Sequence, residues 1–294
     1  MTAVAAQQPD RLQILHPPTC IANVFTIARR ELREAVRSRW FIMYTIAFVA
    51  LGLGVSYISA ASAGSSGLAG YGRTTAGLIN IILLVVPLMA LTAGAGTIAS
   101  DRERGTLAYL LAQPVSRIEL LLGKYVGLAG ALIASIGLGL GVCAGILAWK
   151  SGAAGPAAML WFAALSIGLA LAMLSVGILI SALARKASVA VGAAVFLWLV
   201  LVFVSDLGLM AGTLALKLRI ENLFALSLIN PLQVFKMWSL HAIDSSLDVL
   251  GPAGLYASEE LGSRLHLIFS SALAAWVIVP LAMASVIFSR RSAI

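Results

Sequence analysis

Charge is scarce in this chain. Asp, Glu, Lys and Arg make up 11% of its 294 residues, against 61% hydrophobic residues. A soluble protein of this length cannot cover so much apolar surface, because the buried fraction grows only slowly with size. The composition therefore points to lipid as the solvent. Cysteine is nearly absent: Cys20 and Cys143 are the only two. They offer no disulfide framework and no zinc spacing, and both are expected to be inert thiols. The three histidines, His16, His241 and His266, share no metal-ligand spacing, so no metal site is expected. Residues 1–20 contain no apolar core of the signal-peptide kind, and no cleaved signal is expected. The weak, alternating ten-residue runs of a transmembrane barrel are missing too.

What the chain does have is long apolar runs. A bilayer core of about 30 Å needs roughly 20 apolar residues per helical span. Six segments qualify, at residues 40–60, 78–99, 120–149, 158–183, 189–211 and 266–288. The expected fold is an all-α polytopic membrane protein with six transmembrane helices. The net charge of +8 could suit nucleic acid, but its distribution argues for the bilayer instead. With loops assigned to alternate sides, one side collects Arg29, Arg30, Arg33, Arg37, Arg39, Arg102, Arg104, Arg117, Arg185, Lys186, Arg290 and Arg291. The other side has Arg73, Lys150, Lys217, Arg219, Lys236 and Arg264. The richer side is cytoplasmic by the positive-inside rule, which puts both termini there. No nucleic-acid partner is expected.

Residues 1–20 read as a flexible cytoplasmic tail, with a break at His16-Pro17-Pro18-Thr19. Residues 21–39 change pattern. Ile21, Val24, Phe25, Ile27, Ala28, Leu32 and Val36 recur at helical spacing, opposite Arg29, Arg30, Arg33, Glu34 and Arg37. This predicts an amphipathic interfacial helix on the inner leaflet. Residues 40–294 form the membrane domain. Its first outer loop, 61–77, is rich in Gly and Ser and is expected to be flexible. Within it, 67–74 imitates a phosphate-binding loop, with Arg73 where Lys belongs and no preceding strand. Likewise, 64–67 imitates an intramembrane serine-protease motif with no helix to bring a His. Both are set aside. In the third run, Gly137, Gly141 and Gly145 repeat every four residues, as do Gly123 and Gly127, a spacing that lets helices approach closely.

The outer segment 212–265 carries Asn230-Pro231, a cap followed by a first-turn proline, and predicts a helix to about residue 250. Its aromatic and apolar residues make Asn230, Pro231, Phe235, Met237 and Trp238 candidates for contact with an outer partner. Asp206 is a candidate intramembrane polar site. Counted from Ser188 at 1.5 Å per residue, it lies about 27 Å along its helix, near the outer boundary. Lys124 sits close enough to the cytoplasmic end of its run to snorkel.

The segment between the second and third runs is more elaborate than a reversal requires. Asp101, Arg102, Glu103 and Arg104 stand at the mouth of the second run. Gly105-Thr106 allows a turn, with Thr106 a candidate cap for a short helix over 107–112 that Pro114 ends. Ser116-Arg117-Ile118-Glu119 then reads as a capping box opening the next helix.

Together, Arg104-Gly105-Thr106-Leu107, Leu110-Leu111, Pro114-Val115-Ser116-Arg117 and Leu121-Leu122-Gly123-Lys124 resemble the type-2 ABC transporter permease family. Six spans, an amphipathic N-terminal helix and an insert between spans two and three are similar to it as well. A narrower resemblance, at 229–240 and 203–207, is to permeases of transporters that serve nitrous oxide reductase maturation. The resemblance implies a homodimer of permeases with no catalytic residue and no cofactor of their own. It implies a separate cytoplasmic ATPase that holds ATP and Mg, and a periplasmic partner. It makes 100–119 the coupling segment, with Asp101, Glu103, Arg104, Gly105, Thr106, Leu107, Leu110, Leu111, Pro114 and Arg117 as coupling residues. The chain has Asp101-Arg-Glu103-Arg where the family usually has Glu-Asp. A generic exporter of lipid, drug or polymer is the alternative within this family. An intramembrane enzyme would need a catalytic pair inside the spans, and a secondary transporter would show repeats and midplane charges. Neither pattern is present in the sequence.

Overall fold

A computed structural model describes residues 21–62, 67–151, 156–214, 220–241 and 264–290. The tail 1–20 with Cys20, and the continuation of the outer helix past residue 241, lie outside the described residues. All regular structure among the described residues is helical. In chain order the helices are α1 (Ile21–Arg37), α2 (Arg39–Ser62), α3 (Gly67–Glu103), α4 (Thr106–Leu111), α5 (Arg117–Ser151), α6 (Pro156–Leu183), α7 (Ala187–Leu214), α8 (Ile220–Leu228), α9 (Pro231–His241) and α10 (Leu265–Arg290).

Four stretches are long and apolar enough to cross a membrane: Gly77–Glu103, Arg117–Gly145, Leu160–Leu183 and Leu265–Arg290. The run expected over 40–60 qualifies only as part of a broken pair, Ile21–Arg37 with Arg39–Val55, bent by 66°. Within α7, Ala187–Phe203 is apolar but shorter. The first outer loop is corrected by the structure. Helix α3 begins at Gly67, so most of the stretch expected to be a flexible loop is helical, and the phosphate-loop imitation lies inside a helix. Glycine's poor helix propensity is overridden here by continuity with a long apolar helix.

Helix α3 is the axis of the molecule. It packs against α6, α7, α2 and α5, while α6 carries α10 and α9 on its other sides. Leu78, Ile82, Met89, Leu91 and Ile98 of α3 are almost fully buried. The α3–α6 crossing is tight because it is made of backbone. A Cβ on Gly94 would lie 2.8 Å from the Leu174 carbonyl oxygen, and one on Gly177 would lie 2.6 Å from that of Leu91. One turn on, the Ser181 hydroxyl accepts from the Ile98 and Ala99 amides, both at 2.9 Å.

Helix α1 does not simply lie with its apolar side on lipid. Its Val24–Glu31 side is laid onto α5. A Cβ on Gly127 would lie 2.5 Å from the Ala28 carbonyl oxygen, and one on Gly123 would lie 2.7 Å from the Ile27 side chain. Of its large apolar residues, only Ile21, Phe25 and Val36 stay exposed, along one edge. Of the glycine repeats, then, Gly123 and Gly127 are close-approach positions. Gly137, Gly141 and Gly145 face open space, and the other tight glycine of α5 is Gly139, against the Phe48 ring.

Candidate functional site

The insert 100–119 folds as expected in outline, with shifted details. Helix α4 starts at Thr106, and Gly105 stands at its N-cap with φ of 74°. This left-handed geometry suits glycine, and it turns the chain sharply off the end of α3. Thr106 does not cap α4. Its hydroxyl reaches back to Asp101, 3.1 Å from Oδ1 and 3.2 Å from the carbonyl oxygen. The capping box forms: the Glu119 amide donates to the Ser116 hydroxyl at 3.2 Å, and the Ser116 amide donates to Glu119 Oε2 at 3.0 Å. Buried Glu119 also accepts from Asn23 of α1 at 3.3 Å.

Three of the four charges at the mouth of α3 are engaged with other helices. Asp101 lies 2.7 Å from the ammonium of Lys124 on α5. Lys124 is 2% exposed and is also held by Glu31 of α1 and, at 3.3 Å, by Thr97. A buried lysine needs such partners, since an unpaired charge out of water costs several kcal/mol. Arg102 donates to the carbonyl of Ala184 at the end of α6. Glu103 Oε2 accepts from the Ala187 amide, the first of α7, at 2.9 Å. Each charge has the sign that the helix terminus favours. Arg117 donates to the carbonyls of Phe288 and Ser289, both at 3.2 Å, at the last turn of α10. The insert is thus clasped to α1, α5, α6, α7 and α10.

What it leaves outward is a short surface. Leu107 is buried, and Leu110 and Leu111 are half-buried against the core. Arg104, Gly105, Thr106, Gln113 and Pro114 are exposed. So is Tyr109, 71% exposed and absent from the residues picked out by sequence. Its signal was its place in the register: in a six-residue helix with leucines at 107, 110 and 111, position 109 falls on the opposite face.

The expected outer contact is corrected. Pro231, Phe235, Met237 and Trp238 are buried, with Phe235 inaccessible and Trp238 7% exposed. Helix α9 packs among α6, α10 and α3. Asn230 caps it, accepting from the Leu232 amide at 3.0 Å and donating to the Leu201 carbonyl at 2.8 Å. The Trp238 indole donates to His266 Nδ1 at 3.0 Å. These aromatics fill the interior between helices and are not displayed to a partner. Asp206 is placed within α7, and its side chain lies outside the described residues. Among the described residues no cluster of three His, Cys, Asp or Glu is close enough to hold a metal.

Residues 25–293 match the family model described as ABC-2 family transporter protein. A protein of Stutzerimonas stutzeri named probable ABC transporter permease protein NosY is 32% identical over 284 residues, covering 92% of this chain and 99% of the relative. Its namesake in Pseudomonas aeruginosa is 34% identical over 284 residues, covering 91% of this chain and 98% of the relative. A match that runs from α1 through α10, and takes in the clasped insert, shows that the chain belongs to the ABC-2 family of transporter proteins.

Proposed function

We propose that this chain is the six-span permease subunit of an ABC transporter of the bacterial inner membrane. It works as a homodimer, with both termini in the cytoplasm, and is driven by a separate NosF-like ATPase that binds ATP and Mg. One observation carries the coupling role: α4 shows a small outward face, and the insert residues that flank it, Asp101, Arg102, Glu103, Arg117 and Glu119, are tied by side chains to α5, α6, α7, α10 and α1. Arg104, Gly105, Thr106, Tyr109, Gln113 and Pro114 form the docking face. Leu107, Leu110 and Leu111 seat α4, and Asp101, Glu103 and Arg117 pass its movement to the spans. The narrower resemblance at 229–240 and 203–207, with two relatives that bear the name NosY, supports service to nitrous oxide reductase maturation alongside a NosD-like periplasmic partner. The cargo is then a sulfur species or a contribution to copper-site assembly. The burial of Phe235, Met237 and Trp238 favours a second reading, a generic exporter of lipid, drug or polymer, because it removes the outer helix as a docking surface.

The experiment is co-purification with a co-expressed NosF-like ATPase, followed by ATPase assay. Tyr109→Ala is expected to weaken association about tenfold or more, as for an exposed aromatic anchor. The thermal midpoint of the permease should stay unchanged. Undiminished association with Tyr109→Ala and with Arg104→Glu would refute docking at α4.

A further inference from the structure

A cavity of about 560 Å³ lies at the elbow where α1 turns into α2. It is walled by α1, α2, α3 and α7, and by Leu128 of α5. The lining changes character along one direction. Glu31, Glu34 and Ser38, with Ser100 of α3, make one end; Met89 and Val195, with the uncharged Tyr44 and Thr92, make the other, and Phe41 lies between them. From Ser100 to Met89 along α3 is about 16 Å at the helical rise. One leaflet of a bilayer core is about half of 30 Å. Exposed Arg29, Arg33, Arg37 and Arg39 hold the elbow at a membrane surface, since arginine is costly in hydrocarbon. The cavity is therefore one leaflet deep, charged at the surface and uncharged, mainly apolar, beneath. A helix of a second copy would run through both leaflets and does not match that depth.

The charged groups in the wall are carboxylates. Glu31 is 12% exposed and engaged with Lys124. Glu34 is 56% exposed and pairs with Arg30 at 2.8 Å, an open pair of the kind that contributes little. Beside the mouth, exposed Arg37 and Arg39 flank Ser38, and Trp40, 70% exposed, stands where an interfacial tryptophan belongs.

We propose that this elbow cavity binds one phospholipid with a primary-amine headgroup, drawn from the leaflet on the arginine-rich side. Its ammonium meets Glu34, its phosphate lies beside Arg37 and Arg39, and the upper part of one acyl chain runs between Phe41, Met89 and Val195. The choice of headgroup rests on the sign of the wall, and the choice of a lipid rests on the depth and polarity gradient. Neither depends on the ATPase or on the cargo.

The test is native mass spectrometry of the full chain in detergent, titrated with phosphatidylethanolamine, phosphatidylcholine or phosphatidylglycerol of matched chain length. Phosphatidylethanolamine should bind about fivefold more tightly than phosphatidylcholine, the scale of one partly exposed charge contact. Glu34→Gln should level the two. A Cβ at Gly96 meets nothing within 4 Å, so Gly96→Phe fills the cavity without displacing a helix. It should lower binding of all three lipids about tenfold, in the range for loss of a buried aliphatic contact. Should Gly96→Phe fail to fold, Val195→Trp obstructs the apolar end and is read in the same way. Equal affinity for the three lipids, or binding unchanged in both cavity-filling variants, overturns the proposal. So does a filling variant that shifts the monomer–dimer ratio and leaves lipid binding intact, because a second copy then occupies the space.

Discussion

At Lys124 three helices meet on one ammonium. Glu31 brings α1, Asp101 and Thr97 bring α3, and the lysine itself belongs to α5. Replacing only the lysine leaves two carboxylates facing each other with little access to water. Lys124→Met is therefore expected to destabilise the protein by about 3–5 kcal/mol, the range for an uncompensated buried pair. Chemical denaturation in micelles would measure the loss. The triple change Glu31→Gln, Asp101→Asn, Lys124→Met should recover a large part of it, because no unpaired charge remains. A triple variant as unstable as the single one would mean that the ion triad is not the source of the effect. The sequence identified Lys124 only as a lysine near a membrane boundary. Its partners lie 93 and 23 positions away, counted from Glu31 and Asp101, and no local spacing announces such pairs. The capping box of Ser116 and Glu119, three residues apart, was legible for the opposite reason.

At the scale of elements, the contrast among the glycines of α5 gives a sharp expectation. Gly127→Val should lift α1 from α5, because the new side chain collides with the Ala28 backbone, which cannot rotate aside. Gly141→Val adds a side chain to open space. Thermal unfolding should separate them, with a drop of several degrees for the first and little change for the second. Period alone could not rank these glycines, because every fourth residue of α5 looks alike until the position of α1 is known. The same physics explains α9. Its cap and first-turn proline were legible at Asn230 and Pro231, since capping is local chemistry. Its burial was not, because aromatic residues suit a partner surface, a membrane interface and an interior equally well. The short α4 was legible from Gly105, Pro114 and the leucines between them. Its charged flank was legible as charge, but not as a set of helix caps.

For the whole molecule, the partnered charges Arg102, Glu103 and Arg117 make the insert a fastening for parts distant in sequence. Arg102 and Glu103 together hold the turn between α6 and α7, where Arg185 and Lys186 stand exposed. Arg102→Met and Glu103→Gln should each loosen that turn, and limited trypsin digestion should then cut at 185–186 faster than in the unaltered protein. Cleavage at an unchanged rate would show that the turn is held by other means. Arg117 reaches furthest: its guanidinium bonds carbonyls 171 and 172 positions further along the chain, in the final turn of α10. Contacts over such separation form late, after the chain between them has been made and ordered. During synthesis, then, the insert emerges early with its Arg117 clasp still open. It acquires that last anchor only when α10 arrives, so the face displayed by Tyr109 reaches its final setting only after that helix has been made.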